Sequence, residues 1–401
     1  MFRQKHCVCN ARTGGGIMEK LIRTMMDLIA GEVCGKEIEK SQYNLTNEEP
    51  EKLYDLSKSH DLVHLVGDAL IKNDLIKNDE IKAKFEKQIM FAVYRYERLN
   101  YELNCLRAVL NRMHIPFIPL KGSVIRRYYP EPWMRTSGDI DILVHEAQAD
   151  QASQSIIDTL GYTYKKRSYH DITLISRSGI CLELHFSIKV HKEKVDMLLA
   201  NCWDYTNVEN ESEYKLCDEF FVFHQYAHAL YHFLNGGCGI RPVLDIYLLK
   251  TAFSAFDQEK LDNMLLKTGI KTFADALSQL SCVWFGDGIH DDVTRRMECF
   301  ILHGGVYGNS VNAIAVRQQR EHGQLGYILH SLWMPYDLLC TTYPSLCGRR
   351  FLQPFYEVKR WFKVLKPEVR KRRGDDLNTI RNLSTEAINE VDRMLRDLEL
   401  I

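Results

Sequence analysis

The chain has no CxxC pair, and its twelve cysteines are scattered through 401 residues. That rules out the disulfide framework of a small secreted domain and points to reduced thiols in a cytoplasmic protein. Cys7 and Cys9 are the one close pair, and two thiolates lack the further ligands that zinc needs. No stretch approaches the roughly 20 apolar residues that cross a bilayer, and no apolar signal core precedes the body of the chain, so no membrane partner is expected. Charge of one sign is also missing. The formal net charge is −1 with 26% charged residues, which implies no large nucleic-acid partner. Internal repeats and low-complexity segments are absent as well.

Present instead is enough apolar material, 45% of 401 residues, for two or more cores and therefore two or three domains. Residues 1–17 are polar, contain Gly14-Gly15-Gly16 and are expected to be a disordered extension. From 18 to 113 apolar residues recur at helical spacing, as in Leu99, Leu103, Leu106 and Leu110. This is a helical lead-in. Strand patterns cluster in 114–192, and helical periodicity returns over 193–401, broken near Gly236-Gly237, Gly286, Gly304-Gly305, Pro335 and Pro344. The expected fold class is α+β: a small mixed sheet between N-terminal helices and a C-terminal all-helical domain.

The chemistry-bearing residues lie in the sheet segment. Pro116 to Leu120 reads as a short strand, followed by Lys121-Gly122-Ser123 at the start of a helix, where free backbone N–H groups can hold phosphate oxygens. In Asp139-Ile140-Asp141-Ile142-Leu143-Val144, alternation sends Ile140, Ile142 and Val144 to one face and both aspartates to the other. Two carboxylates on one side of a strand suit hard divalent cations such as Mg2+. Glu183 lies between Leu182 and Leu184 on a later strand, with His185 on its own side, and offers a third acid.

The string Pro119-Leu120-Lys121-Gly122-Ser123, then Tyr129-Pro130, Pro132 and Arg135, then Gly138 to Val144 and Leu182-Glu183-Leu184-His185, resembles the bacterial uncharacterised nucleotidyltransferase family, within the DNA polymerase beta-like nucleotidyltransferase superfamily. The likeness is strongest over 116–188. Fifteen residues separate Ser123 from Asp139, a longer spacing than many superfamily members have. The resemblance implies that Gly122 and Ser123 hold NTP phosphates, that Asp139, Asp141 and Glu183 bind Mg2+ or Mn2+, and that Glu183 orients or deprotonates an attacking hydroxyl. The acceptor stays unidentified: a small molecule, a sugar or a protein.

Lys121 and Arg135 read equally well as phosphate ligands or as ordinary solvated residues. Arg241 and Asp245, four apart on a helix, suit either an ion pair or contact with the nucleotide. His224, His228 and His232 share one helix face; a polar stripe toward the cleft is favoured over a metal site because no acid or thiol joins them. The basic segment Lys359 to Arg373 reads as a solvated face before a closing amphipathic helix near 376–398. Two other functions compete: a silent nucleotide-binding module, and a toxin-type transferase acting on tRNA or protein. Three converging acids argue for the enzyme, because without a metal they repel one another.

Overall fold

The computed structural model describes residues 15–43, 45–252, 256–306, 308–320, 333–346, 348–364 and 385–401. Cys7, Cys9, residues 1–14 of the expected extension and the run Arg370 to Arg373 lie outside them. Residues 15–17, placed in that extension, belong instead to the first helix, α1 (Gly15–Cys34). The lead-in continues as α2 (Glu49–Ser59), α3 (Val63–Lys72) and the long α4 (Asp79–Arg112). Asn78 starts α4 by accepting the N–H groups of Glu80 and Ile81, with Asp79 and Glu80 in the first turn and Arg112 in the last.

A seven-stranded sheet follows, in the order β3-β4-β5-β2-β1-β7-β6. Its strands are β1 (Phe117–Pro119), β2 (Asp139–Val144), β3 (Thr163–Arg167), β4 (Asp171–Ile175), β5 (Cys181–His185), β6 (Thr206–Asn210) and β7 (Glu213–Leu216). Strand β2 runs antiparallel to β1 and parallel to β5. The short α5 (Gly122–Ile125) joins β1 toward β2, and α6 (Ala149–Leu160), closed by Gly161 in the left-handed conformation at φ 68°, joins β2 to β3. Beyond α7 (Glu193–Leu199) come the hairpin β6–β7, α8 (Asp218–Leu234), α9 (Ile240–Ala252), α10 (Gln258–Thr268) and α11 (Lys271–Phe285).

Strands β6 and β7 fall in the part expected to be wholly helical, so the sheet extends to Leu216 and the helical part begins at Asp218. Thr206-Asn207-Val208-Glu209-Asn210 is an exposed edge strand. It faces no core on either side and so carries no apolar alternation for a sequence pattern to reveal.

Each sheet face has its own core. Ile140, Ile142, Val144, Ile172, Leu174, Leu182 and Leu184 pack against Leu99, Leu103, Leu106 and Leu110 of α4 and Ile156 of α6. On the other face Ile118, Leu120 and Leu143 join one large cluster that contains both the N-terminal helices and the C-terminal ones, from Leu21 to Leu398. Lead-in and helical part therefore share a core. The closing helix runs Thr385–Asp397, and in Gln353–Val364 Arg360 is paired with buried Glu357 at 2.7 Å, so that arginine is not a solvated cation. Among the described residues, no helix is long and apolar enough to cross a membrane.

Candidate active site

The register of β2 and β5 builds the site. Asp141 stands opposite Glu183, Asp139 opposite Cys181 and Leu143 opposite His185. Residues two apart on a strand share a face, so Asp139, Asp141, Glu183 and His185 all leave the sheet on the side away from α4 and α6. Asp141, Glu183 and His185 each offer a ligand atom within 4.8 Å of the others. Of the three sequence-derived acids, Asp141 and Glu183 are thus close neighbours and His185 joins them, while Asp139 shares their strand face but lies outside that group. Its signal was its place two residues after Glu183 on the same strand face; its distance to Asp141 depends on strand pairing that spacing does not encode.

Lys121 closes the group from the β1–α5 turn, donating from Nζ to Asp141 Oδ1 at 2.7 Å. It holds φ 46° and ψ −123°, a backbone conformation that costs a non-glycine residue of order 1–3 kcal/mol and that clusters at functional sites. Gly122 packs so tightly beneath the loop before β2 that an added Cβ would lie 2.9 Å from Ser137 Cβ. That loop is clamped by Arg95, which donates to the Ser137 and Gly138 carbonyls, and by Arg126, which donates to Ser137 Oγ at 2.9 Å and to the Gly122 carbonyl at 2.7 Å. Ser123 borders a separate cleft of about 690 Å3 with Tyr96, Arg126 and Arg127, whose lining does not include the acids.

Burial and charge split the two aspartates. Desolvation, followed by repulsion from Asp141, pushes the Asp139 carboxyl up to about 6. Asp141 is buried more deeply, yet Lys121 and His185 outweigh that burial and hold it below the usual carboxylate range. His185 Nε2 donates to Asp141 Oδ1 at 2.8 Å and lies 3.4 Å from Glu183 Oε2. Although burial opposes its charge, these hydrogen bonds raise the imidazole above its ordinary value. Two carboxylates and one nitrogen at this spacing, with one carboxylate held ionised, fit a divalent cation.

Helix α8 carries the three histidines. Burial pushes His224 down to about 3 and His232 to about 4, and takes His228 well below its ordinary value; all three also sense the charge of Lys121. Burial therefore keeps the stripe as neutral imidazoles. His228 and His232 approach each other at 3.2 Å between their Nε2 atoms.

The two arginines take other partners. Arg135 forks onto Asp245, 2.8 Å from Nε to Oδ1 and 2.8 Å from Nη2 to Oδ2, and Tyr129 adds its hydroxyl to Asp245 at 2.7 Å. Arg241 reaches Asp61 at 2.8 Å and the Thr136 carbonyl at 2.9 Å. The i, i+4 spacing thus gives way to longer-range partners for both Arg241 and Asp245. Both arginines instead fasten the 135–138 loop to the helices, so they position β2 from outside the acid cluster.

A family model described as uncharacterised nucleotidyltransferase matches residues 46–286, more than half of the chain. No curated protein and no solved structure matches it.

Proposed function

Because the chain belongs to the uncharacterised nucleotidyltransferase family, we propose that it moves a nucleoside monophosphate from an NTP to a hydroxyl of a small molecule, sugar or protein. The observation that carries this reading is the cross-strand pairing of Asp141 with Glu183, with Asp139 on the same face and Lys121 on Asp141. The acceptor oxygen forms a bond to the α-phosphorus. The bond from that phosphorus to its bridging oxygen breaks, pyrophosphate leaves, and the hydroxyl proton goes to a base.

Asp139, Asp141 and Glu183 would hold Mg2+ or Mn2+, which when bound supplies charge neutralisation on the phosphate oxygens. Glu183, whose side chain is 31% exposed, is the acid best placed to meet an entering acceptor and to orient or deprotonate its hydroxyl. Lys121 supplies positive charge beside the acids for the phosphates and Gly122 offers its backbone N–H to them, whereas Ser123, its own N–H taken by the Leu120 carbonyl, borders the separate cleft. Arg135 and Arg241 act as positioning residues through the 135–138 loop. Position and electrostatics, rather than covalent chemistry by the protein, provide most of the acceleration.

The test is label transfer from each of four α-labelled NTPs in cell extract with Mg2+ or Mn2+, comparing wild type with Asp139→Ala plus Asp141→Ala. Metal-dependent labelling that the double variant loses is the expected result. No labelling and no NTP binding under any condition would leave the silent-module reading.

A further inference from the structure

We infer that His185 is itself a ligand of the divalent cation, so that this centre takes a first-row transition cation in preference to Mg2+. The inference rests on the proposed function in that it concerns the same site, and it names the cation that this site selects.

The geometry is set by the sheet rather than by loops. Asp141 and Glu183 are opposite each other on adjacent parallel strands, and His185 follows Glu183 by one side-chain repeat on the same face. Its Nε2 lies 2.8 Å from Asp141 Oδ1 and 3.4 Å from Glu183 Oε2. The three ligand atoms fall within 4.8 Å of one another, close to the span of two donors each about 2.0–2.3 Å from one zinc-sized ion. His185 is 4% exposed, so its ring cannot leave for solvent.

The ring's other nitrogen, Nδ1, is buried and has no hydrogen-bond partner, so packing takes the place of the outer partner that usually fixes a ligating histidine, and cation binding at Nε2 requires the proton now donated to Asp141 to leave or to move to Nδ1. Its polar contacts are those of Nε2 with the two carboxylates. The ring of His170 stacks beside it at 5.7 Å, and Asp171 stands opposite it on β4, which limits its rotation. An imidazole nitrogen suits first-row transition cations, Zn2+ and Co2+ more strongly than Mn2+, whereas Mg2+ prefers oxygen donors and keeps several waters. A site of oxygen donors alone would leave Mg2+ as the natural occupant; one nitrogen within bonding reach shifts the preference.

The experiment uses the full chain without nucleotide, with Mn2+ as the probe. Pulsed electron paramagnetic resonance of the wild-type protein should show the nitrogen coupling of a directly bound imidazole, and Mg2+ at equal concentration should fail to displace the Mn2+. In His185→Gln the coupling should vanish and the Kd for Mn2+ should rise by at least about 10–100-fold, the loss already seen when only an outer partner of a ligand is removed, with the Kd for Mg2+ nearly unchanged. Absence of nitrogen coupling in wild type, equal affinity for the two cations, or persistence of the coupling in His185→Gln would each overturn the inference. The wild-type spectrum decides the matter even if the variant fails to fold. Nitrogen coupling without nucleotide transfer would keep the assignment and remove the transferase; transfer on an all-oxygen Mg2+ site would do the reverse.

Discussion

The two faces of the central sheet are both buried, and burial does opposite things to them. On one face Ile140, Ile142, Leu182 and Leu184 meet α4 and α6, and removing their surface from water stabilises the fold by about 25 cal/mol per Å2. On the other, Asp141 and His185 are just as inaccessible, yet desolvation works against each of their charges. The same strands supply both faces through a two-residue alternation. One face is a source of stability, and the other spends part of it on holding charge where water would otherwise screen it.

The sharpest break of this comparison is Asp141→Asn. Asp141 neutralises Lys121 and His185 at 2.7 and 2.8 Å, and removing one member of a buried ionic set typically costs about 3–5 kcal/mol. Urea unfolding should register that loss, alongside loss of nucleotide transfer. Unchanged stability would mean that the cluster is hydrated and weakly coupled.

Its neighbour in sequence tests the opposite face. Ile142, fully buried against α4 and α6, should cost about 2–5 kcal/mol as Ile142→Ala. Transfer per folded molecule should stay near wild type, because the side chain points away from the acids. A large fall in turnover at full folding would show that the two faces are not independent.

Much of this contrast was legible in the residues alone. Alternation in Asp139 to Val144 and in Leu182 to His185 assigned each side chain to its face, and the helical periods on either side framed the sheet. Long-range partnership was not legible. Arg241 and Asp245 have the spacing of a helical ion pair, but the fold brings Asp245 to Arg135, 110 residues away, and Arg241 to Asp61. His185 was seen on the correct face, while its contact with Asp141 exists only through the parallel register. The hairpin β6–β7 was invisible because its first strand buries neither face.

Acidification should weaken the fold through its buried histidines. His60, His64, His224 and His232 have folded values near 4, 4, 3 and 4 because burial disfavours the imidazolium, against an ordinary 6.5. A depressed folded value contributes stability that is present above 6.5 and lost as pH falls toward those values. Each histidine removes up to about 1.4 kcal/mol per pH unit through that window. Asp139 and His185, both raised, have the opposite sign and offset part of the loss. Urea midpoints between pH 7.5 and 5 should therefore fall, and His224→Gln should make the fall shallower. A flat profile would mean that these imidazoles are already protonated or hydrated in the fold.

The smallest expected effect has the most telling sign. Asp139 is pushed up to about 6 from 3.8 by burial and by Asp141, so its folded state favours the proton. The stability it contributes is fully present below 3.8 and is lost as pH rises through about 6. At pH 7.5, with chelator present, the ionised carboxylate therefore works against the fold by at most about 3 kcal/mol. Asp139→Asn should then raise the unfolding midpoint while abolishing transfer, the reverse of what Asp141→Asn does to stability from two residues away. Added Mn2+ should close the gap by stabilising wild type more than the variant, since the cation is what the repelling carboxylates lack. If Asp139→Asn instead destabilises the chelated protein, an unrecognised cationic partner holds that carboxylate, and the charged face is balanced without a metal.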